Sequence, residues 1–593
     1  MESCQCTKTQ TIRKLELKVN QQARTIRSLR NKLSVAKAAS KTHSANVRDR
    51  LRGRFGSGAI SYFTTGRRPG QWPTDDLYYA VSIRAMSQKT YSFLRTSLKL
   101  PLPSPSTLNR FMNRFRCEPG TMSNVLRLLQ HFTSDFGPLE KLTVMNFDEM
   151  SVKSLVEYDR STDSVYGPHS DVQVIMIRGL VKQFKQPVYF DFDETMSSEI
   201  FNSVVASVEA CGLNICACVC DMGGKNRKFW KELGINEDAN FISNPTCYDR
   251  KIFFFADIPH VIKLYRNHVL DSGIEYCGSK IDKSLIEQIL LKDQSELKIC
   301  HKLSVRHLDV RNSGRQNVRM AAQLLSGTTA AAIEYFFPER KGAAQHISAI
   351  NSTFDVLNSR VPHLPSNPIG GGFGTQRDKQ IEVLDKMENI LLNSRVVGKK
   401  ELLPFQRGFL LSIRSLRQLH DYLFCRYELQ YILTARLNQD LLENLFSQIR
   451  GTGVFYHHPT PVTVKHRMRS LLVGAKGSVF TAASVAADDV SEQEHYVSSE
   501  LFRRGVNNTE QVCLTEERDD DSSFSEVHVD EDLSLSLDDI NVRGYIGGYV
   551  AHKLRVTYPS LGVLTDKVST LDERCTWTSK FQEVACWILP ETG

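Results

Sequence analysis

Apolar or neutral residues recur at Ile12, Leu15, Val19, Gln22, Ile26, Leu29, Leu33 and Ala36, an alternating three-four spacing with basic residues on the outer positions. Such spacing predicts a coiled coil over residues 8–40 that dimerises the chain; a lone amphipathic helix lying on the protein's own surface is the alternative. The segment holds almost no acids to pair its bases, so a nearby polyanion would relieve the like charges that self-association brings together. A second helical pattern follows. Thr74 reads as an N-cap, Asp75 and Asp76 occupy the first turn, and Leu77, Ala80, Val81 and Arg84 follow at helical spacing. A helix over 87–98 comes next. Then a proline-rich turn offers Ser104 as cap and Pro105 as first helical residue of a third helix over 108–116. Three short helices of this kind predict a helix-turn-helix within 70–120, with Arg110, Arg114 and Arg116 toward phosphates.

From residue 141 the period changes to that of strands. Apolar runs predict strands at 142–152, 172–180, 186–192, 214–220 and 251–256, with helices at 197–212 and 226–233. Three strands, a helix, a strand, a helix and a strand is the order of a ribonuclease H-like fold. In that fold the first and fourth strands are neighbours, which would set Asp148 beside Asp221. A third acid, Glu443, lies one helical turn from Asp440 in Asn438-Gln-Asp-Leu-Leu-Glu443, almost two hundred residues beyond the fifth strand. Residues 267–420 read mainly as helices (316–326, 328–336, 347–358), interrupted by a glycine-rich stretch at 370–374 that reads as flexible. An inserted domain accounts for this span better than one long loop. The expected architecture is a multidomain α/β chain: a ribonuclease H-like core at 140–266 and 421–475, split by the helical insertion at 267–420.

Composition narrows the class. A chain of 593 residues exceeds one hydrophobic core. No apolar run is long enough to cross a bilayer and no charged-then-apolar signal opens the chain, so a soluble intracellular protein without a membrane partner is expected. The 14 cysteines are spread along the chain, and Cys211, Cys216, Cys218 and Cys220 lack zinc-type spacing; reduced packing residues are expected. The net charge of +9 conceals a strong polarity. Residues 1–68 hold sixteen Lys or Arg against three acids, whereas 516–539 hold eleven acids and one Arg. The basic end suits a polyphosphate backbone. The acidic, Ser-rich stretch reads as a linker over 476–540 before a C-terminal domain at 541–593, or as a segment that covers a basic groove when nucleic acid is absent.

Asp148, Asp221 and Glu443 together suit phosphodiester chemistry. Such chemistry needs an in-line attacking hydroxyl and neutralised phosphorus oxygens, and two divalent metals about 4 Å apart supply both. Carboxylates suit Mg²⁺, a hard ion that takes oxygen ligands. On this reading Asp148 bridges two ions, while Asp221 and Glu443 hold one each; Glu149 and Asp440 take supporting or capping roles. Basic residues flank the acids: Lys225, Arg227 and Lys228 after Asp221, and Arg450, Lys465, Arg467 and Arg469 after Glu443. Phe455, Tyr456, His457 and His458 are interleaved with the second group and could stack on or bond to bases.

Several stretches carry a specific resemblance: Phe147-Asp-Glu-Met150, Cys220-Asp-Met-Gly-Gly-Lys-Asn-Arg-Lys-Phe-Trp230, Phe255-Ala-Asp-Ile-Pro-His-Val-Ile-Lys263, Phe354-Asp-Val-Leu-Asn-Ser359, residues 439–446, and Gly544-Tyr-Ile-Gly-Gly-Tyr-Val-Ala-His-Lys553. On these the chain resembles the P element-type transposases, a family that includes the THAP-domain transposases. The resemblance implies a DDE triad at Asp148, Asp221 and Glu443, Mg²⁺-dependent cut-and-paste transposition of double-stranded DNA ends into a target, and a nuclear, at least dimeric protein. It also implies that the insertion binds GTP, which assists assembly with DNA and is not hydrolysed. Carried over by motif, Phe354 would stack on guanine, Asp355 and Asn358 would read its edge, Lys263 is a further contact, and Asp440 would lie near the nucleotide's metal. No Gly-rich phosphate loop ending in Lys-Ser or Lys-Thr is present. Two departures stand out. Only Cys4 and Cys6 precede the coil, so the family's zinc-coordinating THAP domain is expected to be missing. The family's Gly-Gly, Asn and Asp after the last catalytic helix are replaced by Gly453-Val-Phe-Tyr-His-His-Pro459. A host-adopted, catalytically reduced protein that binds DNA and GTP is the second expectation; an RNA-cleaving ribonuclease H is less favoured, since it needs no long insertion.

Overall fold

The computed structural model describes residues 2–51, 55–113, 115–159, 161–294, 298–451 and 457–473. The elements below belong to one compact unit, which includes the described residues of 2–157 and 166–473. Arg114, Phe455, Tyr456, the acidic run and the expected C-terminal domain lie outside the described residues.

The basic N-terminal pattern forms one helix, α1 (Glu2–Leu51). Val19, Ile26, Leu29 and Leu33 of its apolar stripe are exposed. Helix α2 (Thr74–Met86) begins at Thr74 itself; Pro73 holds the cap position, and no side chain caps the first turn. Thr74 is therefore the first helical residue and not the cap. Ser87 caps α3 (Gln88–Ser92), which continues as a π-helical turn through Phe93–Ser97. As expected, Ser104 accepts from Thr107 N and Pro105 opens α4 (Pro105–Met112).

The next segment builds a seven-stranded sheet. Its main strands are β1 (Leu142–Ser151), β2 (Asp171–Gly179), β3 (Lys185–Phe192), β4 (Asn214–Cys220), β5 (Phe241–Asn244) and β6 (Cys247–Ala256). With the two-residue edge Gly120–Thr121 first, the order is edge, β3, β2, β1, β4, β6, β5. β1 runs antiparallel to β2 and parallel to β4, and β4 runs parallel to β6. The central strands are near-continuous apolar runs because they are covered on both faces. On one face sit α5 (Ser198–Ala210) and α6 (Gly224–Glu232), where the Phe147 and Phe229 rings meet edge to face at 5.7 Å. Cys211, Cys216, Cys218 and Cys220 are free and buried.

After β6 the chain enters α7 (Ile258–Asp271) and then the insertion, whose longer helices are α8 (Lys341–Leu357) and α9 (Arg377–Asn393). It returns through α10 (Pro404–Tyr427), α11 (Asp440–Gly451) and α12 (Pro461–Val473). The expected insertion limit at residue 420 falls inside α10, and that helix already lies on the sheet. Its Ser412 hydroxyl accepts from Ala256 N at 3.0 Å, and its Ser415 hydroxyl donates to Phe254 O at 2.7 Å. Gly408 lets α10 come close, since a Cβ there would stand 2.8 Å from Met222 Sδ.

The glycine-rich stretch at 370–374 is not the flexible joint its composition suggested. Phe373 is fully buried and pairs with Ile432. The Gln380 amide accepts from Gly374 N and donates to the carbonyls of Ile369, Gly371 and Gly372. These glycines serve close backbone approach, the other use of a residue without a Cβ.

Candidate active site

Asp148 lies near the end of β1, and Asp221 is the first residue after β4. Asn146 pairs with Val219 across the two strands, so Asp148 and Asp221 stand two residues beyond the same rung. Asp221 Oδ1 accepts from Gly223 N at 2.8 Å and Asn226 Nδ2 at 2.6 Å, an Asx turn that leads into α6. Glu443 occupies the first turn of α11. Burial and then the neighbouring Asp221 carboxylate, with smaller contributions from Glu443 and Glu149, push the Asp148 carboxyl up to about 7. Three acids from distant stretches of chain thus share one electrostatic site.

Cations and one further acid complete it. Lys263 of α7 is buried, and its ammonium stands 3.2 Å from Glu443 Oε1. Arg450 is half-buried; burial lowers its pKa, while Asp148 and Glu443 oppose that shift. Asp257 is buried, and burial with the Glu443 and Asp440 charges pushes its carboxyl up to about 8. His260 faces Lys263, Asp221 and Glu443, and burial holds its imidazole below the ordinary value. Sequence alone gives neither Asp257 nor His260 a role; the available signal is their place in the Ala-Asp-Ile-Pro-His stretch that precedes Lys263. Among the described residues no three His, Cys, Asp or Glu side chains stand in a metal-holding array. The three acids are neighbours, but Glu443 is turned to Lys263.

The remaining sequence-selected residues divide. Asp440 Oδ2 accepts from Asn438 Nδ2 at 3.0 Å and lies 3.5 Å from the Arg360 guanidinium. Asn438 also reaches Asn358 Oδ1 at 3.4 Å, so Asn358 and Asp440 are joined through one amide. Phe354 is partly buried against the core. Asp355 Oδ2 accepts from Asn351 and Asn367, and burial raises its carboxyl. Arg110 and Arg116 are exposed, as are Arg227 and Lys228. Lys225 pairs with Glu149 at 2.9 Å.

Lys465 is a correction. Its ammonium is buried, 2.8 Å from Glu118 and 2.9 Å from the Tyr166 hydroxyl, so it presents no charge to a phosphate. Arg467 is half-buried and donates to the Ile449 and Arg450 carbonyls, closing the C-terminal end of α11. Arg469 is half-buried and bonds to Asn113 and His466.

A family model described as the TNP-like RNase H N-terminal domain matches residues 117–234, and one described as the TNP-like GTP-binding insertion domain matches 259–366. A third, described as 87 kDa transposase, matches 477–570, outside the described residues. The chain is 33% identical over 522 residues to the Transposable element P transposase of Drosophila melanogaster, spanning 87% of this chain and 68% of that protein. The chain belongs to the P element transposase family. In fold it matches the Drosophila P element transposase strand transfer complex with a TM-score of 0.67 at 35% identity, over 72% of this chain and 97% of that one. This P element family member therefore has a ribonuclease H-like core carrying a GTP-binding insertion domain. Among the described residues no helix is long and apolar enough to cross a membrane.

The raised carboxyls make stability depend on pH. Asp148 and Asp257 bind protons more tightly folded than unfolded, where a carboxyl titrates near about 4. Their contribution is fully present below about pH 4 and is lost as pH rises through about 7 and 8. Calorimetry without divalent metal should therefore show the melting temperature falling between pH 5 and 8.5, and Asp257→Asn should flatten the fall. An equally steep fall in that variant would remove Asp257 from the account.

Proposed function

We propose that this chain is a DDE-type DNA transposase, with Asp148, Asp221 and Glu443 as the catalytic carboxylates. The observation that carries the reading is the convergence of these acids, drawn from β1, the residue after β4, and α11, on one electrostatic site in a chain of this family. Their hard oxygen donors, with Asp221 and Glu443 close enough to push the Asp148 carboxyl up, fit divalent magnesium in chemistry; Glu443, whose Oε1 pairs with Lys263, would turn to join the set. Asp148, Asp221 and Glu443 would hold the metal, which when bound neutralises phosphorus oxygens and promotes an in-line attacking hydroxyl. Arg450 adds positive charge beside the acids, and Arg110 and Arg116, both exposed, would meet DNA phosphates. Double-stranded DNA is the proposed substrate, with at least two copies of the chain acting in the nucleus. The exposed apolar stripe of α1 supports self-association. Magnesium-dependent cleavage of DNA by the purified full chain tests the reading, and its absence across the relevant DNA ends would refute it.

Guanine nucleotide is proposed as a bound, unhydrolysed cofactor, with Phe354 stacking on the base and Asp355 and Asn358 reading its edge. Asp440 then faces the nucleotide's metal, and Lys263 adds a contact. Asp355→Ala should weaken GTP binding about 10- to 100-fold, the loss of a hydrogen bond to a charged group. Isothermal titration reads this directly, and an unchanged affinity would take Asp355 out of the site. Asp440→Asn should alter the nucleotide dependence of cleavage before it abolishes cleavage.

A second reading has one observation in its favour. The Glu443 carboxylate is engaged by Lys263, an arrangement that suits a host-adopted chain which binds DNA and nucleotide without cutting.

A further inference from the structure

One set of hydrogen bonds touches the backbone beside all three acids. The Gln439 side-chain amide donates at 2.6 Å to the carbonyl of Phe147, the residue before Asp148. The Gln439 carbonyl accepts from Glu443 N at 3.1 Å. The Gln439 backbone N donates to Asp257 Oδ1 at 2.9 Å. Asp257 N in turn donates at 2.9 Å to the carbonyl of Cys220, the residue before Asp221. Both side chains are almost wholly buried.

We propose that Gln439 and Asp257 are positioning residues that set the spacing of Asp148, Asp221 and Glu443 and hence the affinity of the site for divalent metal. The proposal rests on the assignment of those acids as catalytic carboxylates. Apolar packing of Leu441, Leu442 and Leu445 also holds α11, but such contacts are non-directional and tolerate a small slide. Hydrogen bonds are directional, and a site with two or three ligands on separate elements needs its spacing held within about 0.5 Å. A polar link anchored on the carbonyls that precede two of the acids meets that need more directly than the helix's own packing.

The same pair joins the start of the insertion to the helix that carries Glu443. Asp257 Oδ2 accepts from His260 N at 3.0 Å and caps α7, the helix that carries Lys263 into the insertion. Gln439 immediately precedes α11, which carries Glu443. A displacement of α7 would reach the acids through Asp257 and Gln439.

Electron paramagnetic resonance of Mn²⁺ bound to the full-length chain tests the proposal without requiring DNA cleavage. Wild type should bind Mn²⁺ at a site that Asp148→Asn removes. Gln439→Met, which keeps length and loses the donor, should raise the dissociation constant about tenfold with stoichiometry unchanged. Asp257→Asn, which can still accept one of its two bonds, should raise it by a smaller factor. A purely structural role would lower the bound stoichiometry and leave the constant alone, so constants within twofold of wild type in both variants would overturn the proposal. Wild type that binds manganese through Asp148 but cuts no DNA would refute the transposase reading and leave the positioning role standing. Manganese binding unaffected by Asp148→Asn would overturn both.

Discussion

Asp148→Asn and Glu443→Ala should each lower magnesium-dependent DNA cleavage on the order of 10³-fold, about 4 kcal/mol of transition-state stabilisation. Each substitution removes a negative oxygen donor from a site whose remaining acids cannot supply its charge or position. The stability consequence should run the other way for Asp148→Asn. In the metal-free chain this carboxyl is pushed up to about 7 by burial and by Asp221, so at pH 7.5 much of it carries an unfavourable charge. The neutral amide should therefore melt no lower than wild type, and loss of activity without loss of stability separates a functional acid from a structural one. Glu443→Ala differs, because it leaves the buried Lys263 ammonium without its carboxylate partner, and a modest fall in melting temperature is expected. Cleavage rates and calorimetry on the same preparations check both statements. Retained cleavage in either variant would remove that acid from the site.

Gly374→Ala should cost about 3–5 kcal/mol, combining a strained backbone with an overpacked contact. Gly374 has φ of +115°, a conformation L side chains rarely adopt, and a Cβ there would run into the Gln430 carbonyl and the His420 ring. The neighbouring Phe373 is fixed in the core, so the backbone cannot move away freely. Gly278→Ala is the matched comparison. That residue also has positive φ, at +71°, but open space around its Cβ position, and about 1 kcal/mol is expected. Urea unfolding of the pair reads the difference. Equal effects would mean that the 370–374 stretch behaves as a free loop.

The strands that carry Asp148 and lead into Asp221 were legible because each is a buried apolar run with sharp ends. The neighbour relation of β1 and β4 then followed from element order alone. Edge strands were not legible: Phe241–Asn244 is four residues long and half exposed, and Gly120–Thr121 is shorter still. Glycine composition misled at 370–374, since flexibility and close approach use the same residue. Lys465 misled because a basic residue among other basic residues looks solvated, whereas Glu118 and Tyr166, far away in sequence, enclose it. The link through Gln439 and Asp257 had no local pattern at all. Its bonds join residues 182 and 292 positions apart, and a Gln and an Asp beside conspicuous acids give no sign of which carbonyl or amide they will meet.

The most direct test of the proposed active site is anomalous diffraction from the full chain crystallised with DNA, guanine nucleotide and Mn²⁺. Manganese peaks held between Asp148, Asp221 and Glu443, with the Lys263 ammonium withdrawn from Glu443, are the predicted result. Manganese bound elsewhere, or a Glu443 still paired to Lys263 with DNA in place, would contradict the account.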